Sequence, residues 1–229
     1  MTSTPILAPL RSGDAVVAEG RPLRVVGVSG SLHDPSKTTS LVEAILDSVG
    51  RRGVVETRLI AIAQIGTALA GALSRDELPA EAEEALQAIE QADLLVVATP
   101  VYRASTLTTG TPEALIASIR SRGPSFTGLF KHLFDFVGQY ALVGKPVLLA
   151  ATGGGERHAL IIEHQLRPLF AFFQALTLPV GVYASTADFD GAALRDGAVR
   201  ARVEQAVDRA LPLIEQSRRQ PVSEYVSNW

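Results

Sequence analysis

Short apolar runs alternate with longer amphipathic stretches from residue 23 onward. The runs are rich in β-branched residues, whereas the stretches repeat an apolar residue at every third or fourth position. The runs predict strands at residues 23–28, 54–60, 94–98, 147–150 and 178–183. Continuous apolar sequence is typical of parallel strands that are covered on both faces. The pattern therefore predicts a three-layer α/β fold with a doubly wound, five-stranded parallel sheet.

The amphipathic stretches predict five helices. The first starts near Thr38 and places Leu41, Ile45 and Val49 on one face. Pro79 is predicted to be the first residue of the second helix, where proline is favoured. The remaining helices are predicted at residues 79–91, 127–137, 159–176 and about 192–216.

Residues 106–125 break the alternation. A helix start at residues 111–113 and a stop at Gly123 and Pro124 predict a short helix inserted in a loop. The loop follows the third strand, at the edge where open α/β sheets bind ligands. The insertion either covers such a site or is a surface elaboration or subunit contact, and the pattern leaves both open.

We interpret residues 23–217 as one domain, with tails at residues 1–22 and 218–229. A chain of 229 residues with 47% hydrophobic content can bury a full core. Its mean hydropathy of +0.21 favours burial of apolar surface between subunits. No apolar run approaches the roughly 20 residues of a membrane-spanning helix, and the N-terminal stretch lacks the order of a secretory signal. We therefore expect a cytoplasmic homo-oligomer that does not bind membranes.

Charge and cysteine content exclude several classes of function. A formal charge of −3 and a pI near 5.8 offer no surplus positive potential, so we expect no nucleic-acid partner. Because the chain contains no cysteine, disulfides, thiolate metal sites and a cysteine nucleophile are excluded. Any redox chemistry must therefore come from a cofactor.

The segment SGSLHDPSKTTS, residues 29–40, follows the first predicted strand. In a nucleotide-triphosphate P-loop, glycine would occupy the positions of Ser31 and Ser36, before Lys37 and Thr38. The third predicted strand also ends without an aspartate for magnesium, and the G-x-G-x-x-G dinucleotide motif is absent. These departures disfavour a nucleotide triphosphatase and a dinucleotide fold of that type.

Hydroxyl side chains cluster in this segment, where a strand turns into a helix. The hydroxyl residues are Ser29, Ser31, Ser36, Thr38, Thr39 and Ser40. A helix N-terminus adds free amides and a partial positive charge. Such donors suit a terminal monophosphate, as in the mononucleotide FMN. The alternative interpretation is that Ser36 or Thr38 only caps the helix.

Two further loops are predicted to leave the carboxyl ends of strands, at residues 99–105 and 152–157. Three consecutive glycines in the second loop allow the backbone to approach the edge of a flat ring. Together the loops can bracket an isoalloxazine ring. Taken separately, Tyr102 is equally well explained as an aromatic that covers the sheet end, and the glycines as a turn.

Five segments in this order resemble the NAD(P)H-dependent FMN reductases. The segments are residues 30–41 (GSLHDPSKTTSL), 98–104 (ATPVYRA), 126–135 (FTGLFKHLFD), 144–155 (GKPVLLAATGGG) and 163–168 (EHQLRP). The resemblance covers about residues 23–190 and is strongest to members that serve alkanesulfonate and methanesulfonate monooxygenases. It departs from the family where residues 106–125 split a continuous V-Y-R-A-S-F-T-G motif.

The resemblance implies a flavodoxin-like fold with FMN at the carboxyl edge of the sheet and NADPH or NADH stacked on the flavin ring. It implies that the phosphate is held by Ser31, Ser36, Thr38 and Thr39, with His33 beside them. The implied ring-lining residues are Pro100, Val101, Tyr102, Arg103, Thr152, Gly153 and Gly154. No catalytic acid or base and no metal are expected, because the hydride passes directly between the cofactors.

Pro168 interrupts the helix predicted at residues 159–176. Because proline has no amide proton, the His164 carbonyl loses its helical partner, and a local widening or a kink is expected. The resemblance implies that His164 is an inserted residue in a helix that forms a subunit interface, where a widened turn accompanies FMN release. The alternative is an exposed histidine on an ordinary kinked helix. We expect a homodimer or homotetramer through this helix.

The sequence therefore predicts an NAD(P)H:FMN oxidoreductase that supplies reduced FMN to a partner flavin-dependent monooxygenase. Two alternatives remain. One is a reductase that retains FMN and reduces quinones or azo dyes. The other is an electron carrier resembling flavodoxin, although the acidic surface of such carriers is missing here.

Overall fold

A computed structural model describes residues 21–101 and 125–219 of the chain. The strands are β1 (Leu23–Ser29), β2 (Val55–Ala61), β3 (Leu94–Pro100), β4 (Pro146–Gly153), β5 (Leu176–Thr177), β6 (Val182–Ser185), β7 (Phe189–Asp190) and β8 (Ala193–Leu194). The α-helices are α1 (Lys37–Gly50), α2 (Ile62–Leu69), α3 (Ala80–Gln91), α4 (Gly128–Asp135), α5 (Arg167–Phe172) and α6 (Ala198–Arg219). The short helix predicted at residues 111–123, like residues 1–20 and 220–229 of the predicted tails, lies outside the described residues.

One parallel sheet organises the domain. Its strand order is β2-β1-β3-β4, and the short strands β5 and β6 share the position beyond β4. Numbered along the chain, this is the 2-1-3-4-5 order of flavodoxin-like folds. The predicted three-layer α/β fold is confirmed. Within residues 21–101 and 125–219, no helix combines the length and apolar character that crossing a bilayer requires.

Side chains of each strand alternate between two buried clusters, one on each face of the sheet. In β3, Leu94, Val96 and Ala98 pack under α1 and α6, whereas Leu95 and Val97 pack under the helices of the opposite face. Both faces are apolar because both are covered, which explains why β3 is a continuous apolar run. The predicted apolar face of α1 is buried as expected.

The predicted fifth strand, residues 178–183, is wrong as a single element. The structure places β5 before this range and β6 at its end, and both pair with β4. Pro179 lies between them and has no amide for a ladder hydrogen bond. At Gly181 a Cβ would lie 2.8 Å from Ile162 Cγ2, so the chain passes close beneath the neighbouring helix. The strand is divided where these two residues occur.

Several helices differ from the predicted ones. Pro79 is the N-cap of α3 rather than its first residue, and α4 ends at Asp135 rather than at residue 137. Helix α2 was not predicted, because it is short and begins directly after β2 without a side-chain cap. The last helix begins at Ala198 rather than near residue 192, since β7 and β8 form a hairpin before it. The helix predicted at residues 159–176 ends at Phe172, and Gln174 adopts a positive φ of 55° just before β5.

The widening predicted near Pro168 is confirmed. Residues Ile162–Leu166 form a π-helical turn, and the Arg167 amide donates to the Ile162 carbonyl, five residues earlier. The turn continues into α5, whose second residue is Pro168. Because Pro168 has no amide, the widened turn lies where a regular helix would leave the His164 carbonyl without a partner.

Candidate functional site

A cavity of about 480 Å³ opens at the carboxyl edge of the sheet, beside the ends of β1, β3 and β4. This volume lies within the range of small-molecule sites. Of the residues predicted for the site, those that line the cavity are Ser31, His33, Ser36, Thr38, Pro100, Val101, Thr152 and Gly153. They come from three separate segments, which the parallel sheet brings to one edge.

The turn after β1 supplies hydroxyl side chains that are nearly covered by protein. Ser31, Ser36 and Thr38 are 4%, 8% and 2% exposed, although each lines the cavity. Ser31 Oγ lies 3.2 Å from both the amide nitrogen and the carbonyl oxygen of His33, which stabilises the turn. The serine and threonine hydroxyls therefore occupy defined positions at the cavity wall.

Ser36 caps helix α1. Its side-chain oxygen accepts a hydrogen bond of 3.3 Å from the Thr39 amide, so the capping interpretation is confirmed for this residue. Capping uses the oxygen as an acceptor, and the hydroxyl proton can still be donated to a ligand. The first amides of α1 have no intrahelical partner and carry the positive end of the helix dipole. Capping and anion binding are thus compatible at this residue.

Two hydrogen bonds join the three loops. Thr38 Oγ1 and Thr152 Oγ1 lie 2.7 Å apart, which connects the start of α1 to the end of β4. The Val101 amide donates to the Thr152 carbonyl at 2.7 Å, which connects β4 to the loop after β3. Thr152 therefore connects the start of α1 with the loop after β3 and fixes the separation of the two segments.

Four predicted site residues are not among the described residues that line the cavity. The Thr39 side chain turns toward β1, where its oxygen lies 2.9 Å from Ser29 Oγ, and it does not line the cavity. Gly154 is exposed on the loop after β4, next to the lining residue Gly153. Tyr102 and Arg103 lie outside the described residues. A role for these four residues in the site stays a prediction.

The β7–β8 hairpin forms a wall of the cavity that was not predicted. Thr186, Phe189, Gly191 and Ala192 line the cavity from this side. Gly191 has a φ of 57°, which glycine tolerates without strain, and it is the first of the two residues between the paired Asp190 and Ala193. Glycine at the first position of a two-residue turn is a hairpin signal that could have revealed the turn. Its position beside the cavity could not be read from that signal.

Asp188 anchors the hairpin at its base. One carboxylate oxygen accepts from the Ser185 amide at 2.7 Å and from Ser185 Oγ at 3.0 Å. The other oxygen lies 3.3 Å from the Arg202 guanidinium of α6. The Asp188 carbonyl also accepts from the Arg195 amide at 2.9 Å. The hairpin is therefore tied both to the end of β6 and to α6.

The triple-glycine loop packs closely on β6. A Cβ on Gly153 would lie 2.5 Å from the Tyr183 hydroxyl oxygen, so the loop leaves no room for a side chain there. That hydroxyl donates to the Gly155 carbonyl at 2.6 Å. Burial, followed by the nearby Glu156 carboxylate, raises the pKa of Tyr183. Tyr183 therefore remains protonated and keeps the loop against the sheet.

The electrostatic character of the cavity suits an anion. The described lining includes Lys37 and His33 but no aspartate or glutamate. The Lys37 ammonium lies 5.8 Å from the centroid of the Phe189 ring, on the hairpin wall. Hydroxyls, helix amides and one lysine are ligands that bind phosphate without a metal ion. Lys37 was not among the predicted site residues.

Comparison with known proteins gives a consistent picture. The chain matches the family described as NADPH-dependent FMN reductase over residues 23–108 and 113–190. It is 50% identical over 193 residues to the NADH-dependent FMN reductase SfnF of Pseudomonas fluorescens, covering 84% of this chain and 92% of that protein. It is 46% identical over 192 residues to the FMN reductase (NADPH) of Pseudomonas aeruginosa, with the same coverage.

A solved structure extends the comparison to the fold. The apo form of the NADH:FMN oxidoreductase EmoB superposes with a TM-score of 0.64 and 28% sequence identity. The match covers 89% of this chain and 93% of that one. The similarity in fold therefore extends over most of both chains.

Proposed function

The chain belongs to the NADPH-dependent FMN reductase family, and from this premise we propose that the cavity at the carboxyl edge binds FMN and that reduced FMN is released to a separate monooxygenase. The observation that carries the proposal is the turn after β1. Its hydroxyls, Ser31, Ser36 and Thr38, are almost buried and yet border the cavity.

The donor set of this turn fits a phosphate monoester. Ser31, Ser36 and Thr38 offer hydroxyl protons, the first turn of α1 offers amides, and Lys37 offers a positive charge. The described lining contains no carboxylate that would repel a dianion. We therefore propose that these groups hold the FMN phosphate, with His33 at the rim. Thr39 supports the turn through its contact with Ser29.

The loops after β3 and β4 are proposed to hold the flavin ring. Pro100, Val101, Thr152 and Gly153 line the same cavity, and the bond from the Val101 amide to Thr152 keeps the two loops together. Glycine at residue 153 leaves backbone accessible next to the cavity. Gly154 and the predicted residues Tyr102 and Arg103 complete the proposed set. The chain contributes position and exclusion of water, and no acid or base is required.

FMN, when bound, accepts a hydride from the reduced nicotinamide. The two relatives differ in their nicotinamide, since one is named NADH-dependent and the other an NADPH enzyme. We propose that either nucleotide reaches the open side of the cavity, and a direct comparison of the two decides which is preferred.

Release of reduced FMN to a monooxygenase is the finer part of the proposal. The π-turn at Ile162–Leu166 supports it, because the resemblance implies that a widened turn at this position accompanies FMN release. Leu160 and Phe172 are exposed beside this turn and provide an apolar surface for a homodimer or homotetramer through the helix containing His164. We propose that the enzyme acts in the cytoplasm, where reduced nicotinamide is produced.

The test is a coupled binding and turnover measurement on the purified full-length chain. Oxidation of NADH and NADPH is followed by absorbance with excess free FMN, and the flavin content of the purified protein is measured. We expect a nearly colourless protein whose turnover depends on added FMN. A yellow protein that ignores added FMN and reduces quinones would establish the retaining type of reductase instead. If neither NADH nor NADPH were oxidised, the result would contradict the reductase and favour the flavodoxin-like electron carrier.

Two serine variants, one in the turn after β1 and one near the carboxyl end of α1, test the location of the site. Ser31→Ala removes a cavity hydroxyl, and we expect the KM for FMN to rise about 10-fold or more, since hydrogen bonds to charged groups contribute about 1.5 to 3 kcal/mol. Ser48→Ala removes another buried serine hydroxyl, which accepts from Arg52 far from the cavity. If Ser31→Ala and Ser48→Ala had the same KM for FMN, the phosphate would have to bind outside the turn after β1.

A further inference from the structure

Phe189 is the aromatic residue of the hairpin wall. It is 4% exposed and belongs to the buried cluster that also contains Leu41 and Ile45 of α1. Part of its surface also lines the cavity. The Phe189 side chain therefore packs against the core under α1 and also lines the cavity.

The Lys37 ammonium lies next to this ring. Its distance of 5.8 Å to the ring centroid is within the range of about 6 Å at which a cation is attracted to an aromatic face. Lys37 is the first residue of α1 and follows the capping residue Ser36. The ring thus favours a position of this long, flexible side chain beside the hydroxyl turn.

The position of the ring is itself defined by the fold. Phe189 directly follows Asp188, whose side chain accepts bonds from Ser185 and whose other oxygen contacts Arg202. Phe189 also pairs with Leu194 in the hairpin. A ring fixed in this way restricts the Lys37 side chain before any ligand binds, which reduces the conformational entropy that binding must remove.

We propose that Phe189 is a positioning residue that holds the Lys37 ammonium at the phosphate end of the cavity and thereby sets the preference for FMN over riboflavin. This inference rests on the proposed function, because it requires that FMN bind with its phosphate at the turn after β1. Phe189 does not contact the reacting atoms. Its effect is confined to flavins that carry a phosphate.

The experiment measures dissociation constants for FMN and riboflavin by flavin fluorescence with the full-length chain. The variants are Phe189→Leu, Lys37→Met and the double variant, with Phe136→Leu as the matched control. Phe136 is also nearly buried, at 8% exposure, but it lies at the carboxyl end of α4 in the other buried cluster. Circular dichroism establishes that each variant folds, and Phe189→Met replaces Phe189→Leu where the latter does not.

The expected result is a selective loss of FMN affinity. Lys37→Met should weaken FMN binding about tenfold, and Phe189→Leu about two- to tenfold, the range of a cation–π contact. Riboflavin affinity should stay unchanged in both. In the Lys37→Met background, Phe189→Leu should have no further effect on the ratio of the two constants. The salt dependence of FMN binding should decrease in both single variants.

Different outcomes would contradict the role of Phe189 and the proposed phosphate site. Equal loss of FMN and riboflavin affinity in Phe189→Leu, or a loss matched by Phe136→Leu, would show a purely structural role and overturn the inference. An unchanged ratio in both single variants would also overturn it while FMN still binds. Equal affinity of the unmodified protein for the two flavins would instead overturn the proposed phosphate site.

Discussion

Replacing Gly27 with alanine tests whether the close packing of α1 on β1 holds the cavity turn in place. A Cβ at this position would lie 2.5 Å from Val42 Cγ1 and 2.9 Å from Leu46 Cδ1. Carbon atoms pack favourably at about 3.5 to 4.0 Å. The helix or its side chains must therefore withdraw from β1 by about 1 Å to accept the methyl group.

The expected magnitude follows from two opposing effects. Overpacking of a well-packed core costs about 1 to 3 kcal/mol. Alanine also restricts the unfolded chain, which stabilises by about 0.4 to 1 kcal/mol where the backbone conformation allows it. We expect a net loss of roughly 0.5 to 2 kcal/mol in the free energy of unfolding, and a fall in Tm of about 2 to 6 °C for a chain of this length.

The same shift should weaken FMN binding, because α1 carries Ser36, Lys37 and Thr38 to the cavity. A displacement of α1 lengthens the bond of 2.7 Å between the Thr38 and Thr152 hydroxyls. The assay is thermal unfolding together with the KM for FMN in nicotinamide oxidation. We expect KM to rise and kcat to change less, since the perturbation acts on the binding turn.

Gly53→Ala is the control, because no atom lies within 4 Å of a Cβ there and the residue has no positive φ. It should leave KM unchanged and keep or slightly raise Tm. Removing Val42 Cγ1 with Val42→Ala should partly restore the Gly27→Ala variant, so the two substitutions should not be additive. A Gly27→Ala protein as stable as Gly53→Ala, with unchanged KM, would refute the packing argument.

Further predictions concern charge and the hairpin. The Arg75 guanidinium lowers the pKa of Glu83 to about 2, so the stability from this pair is present above the ordinary pKa of 4.5 and is lost as pH falls toward 2. Arg75→Met should therefore flatten the acid side of a Tm-against-pH curve. Burial lowers the pKa of Lys145 to about 8, so the free energy of unfolding should rise between pH 8 and 10.5, and Lys145→Met should abolish this rise in chemical denaturation. Asp188→Ala removes the acceptor at the base of the hairpin and should weaken FMN binding in a fluorescence titration, whereas Asp135→Ala on the exposed face of α4 should not.

Local sequence predicted much of the fold and part of the site. Strands β1, β3 and β4 were recognisable because two covered faces require a nearly continuous apolar run, as in β3. The edge strand β2 is only partly buried and was recognisable from its β-branched residues and its place in the alternation. A cap at Ser36 or Thr38 was recognisable because a hydroxyl before an apolar helical pattern satisfies a free amide, and the structure assigns it to Ser36. The widened turn before α5 followed from the missing amide of Pro168. Each of these features depends on residues close together in the chain.

The strand order of the sheet brings the cavity residues together, and the alternation of strands and helices in the sequence already predicts this order in part. Ser31 follows β1, and Pro100 and Thr152 lie at the carboxyl ends of β3 and β4. Parallel strands end at the same edge of a sheet. The alternation of strands and helices therefore predicted that these three loops are neighbours. It did not predict how far apart they lie or which side chains face one another.

The sequence alone determined the order of β1 to β4 and of the longer helices, a hydroxyl cap at the start of α1, and the three loops that meet at the carboxyl edge, because these depend on local chemistry and on the topology of parallel strands. Only the tertiary structure decided that Phe189 and Lys37 share a wall of the cavity, and that Thr39 turns to Ser29. Such contacts join residues more than a hundred positions apart or depend on the rotation of a helix about its axis. They depend on how α1, α6 and the hairpin pack together, and a local sequence pattern does not predict this packing.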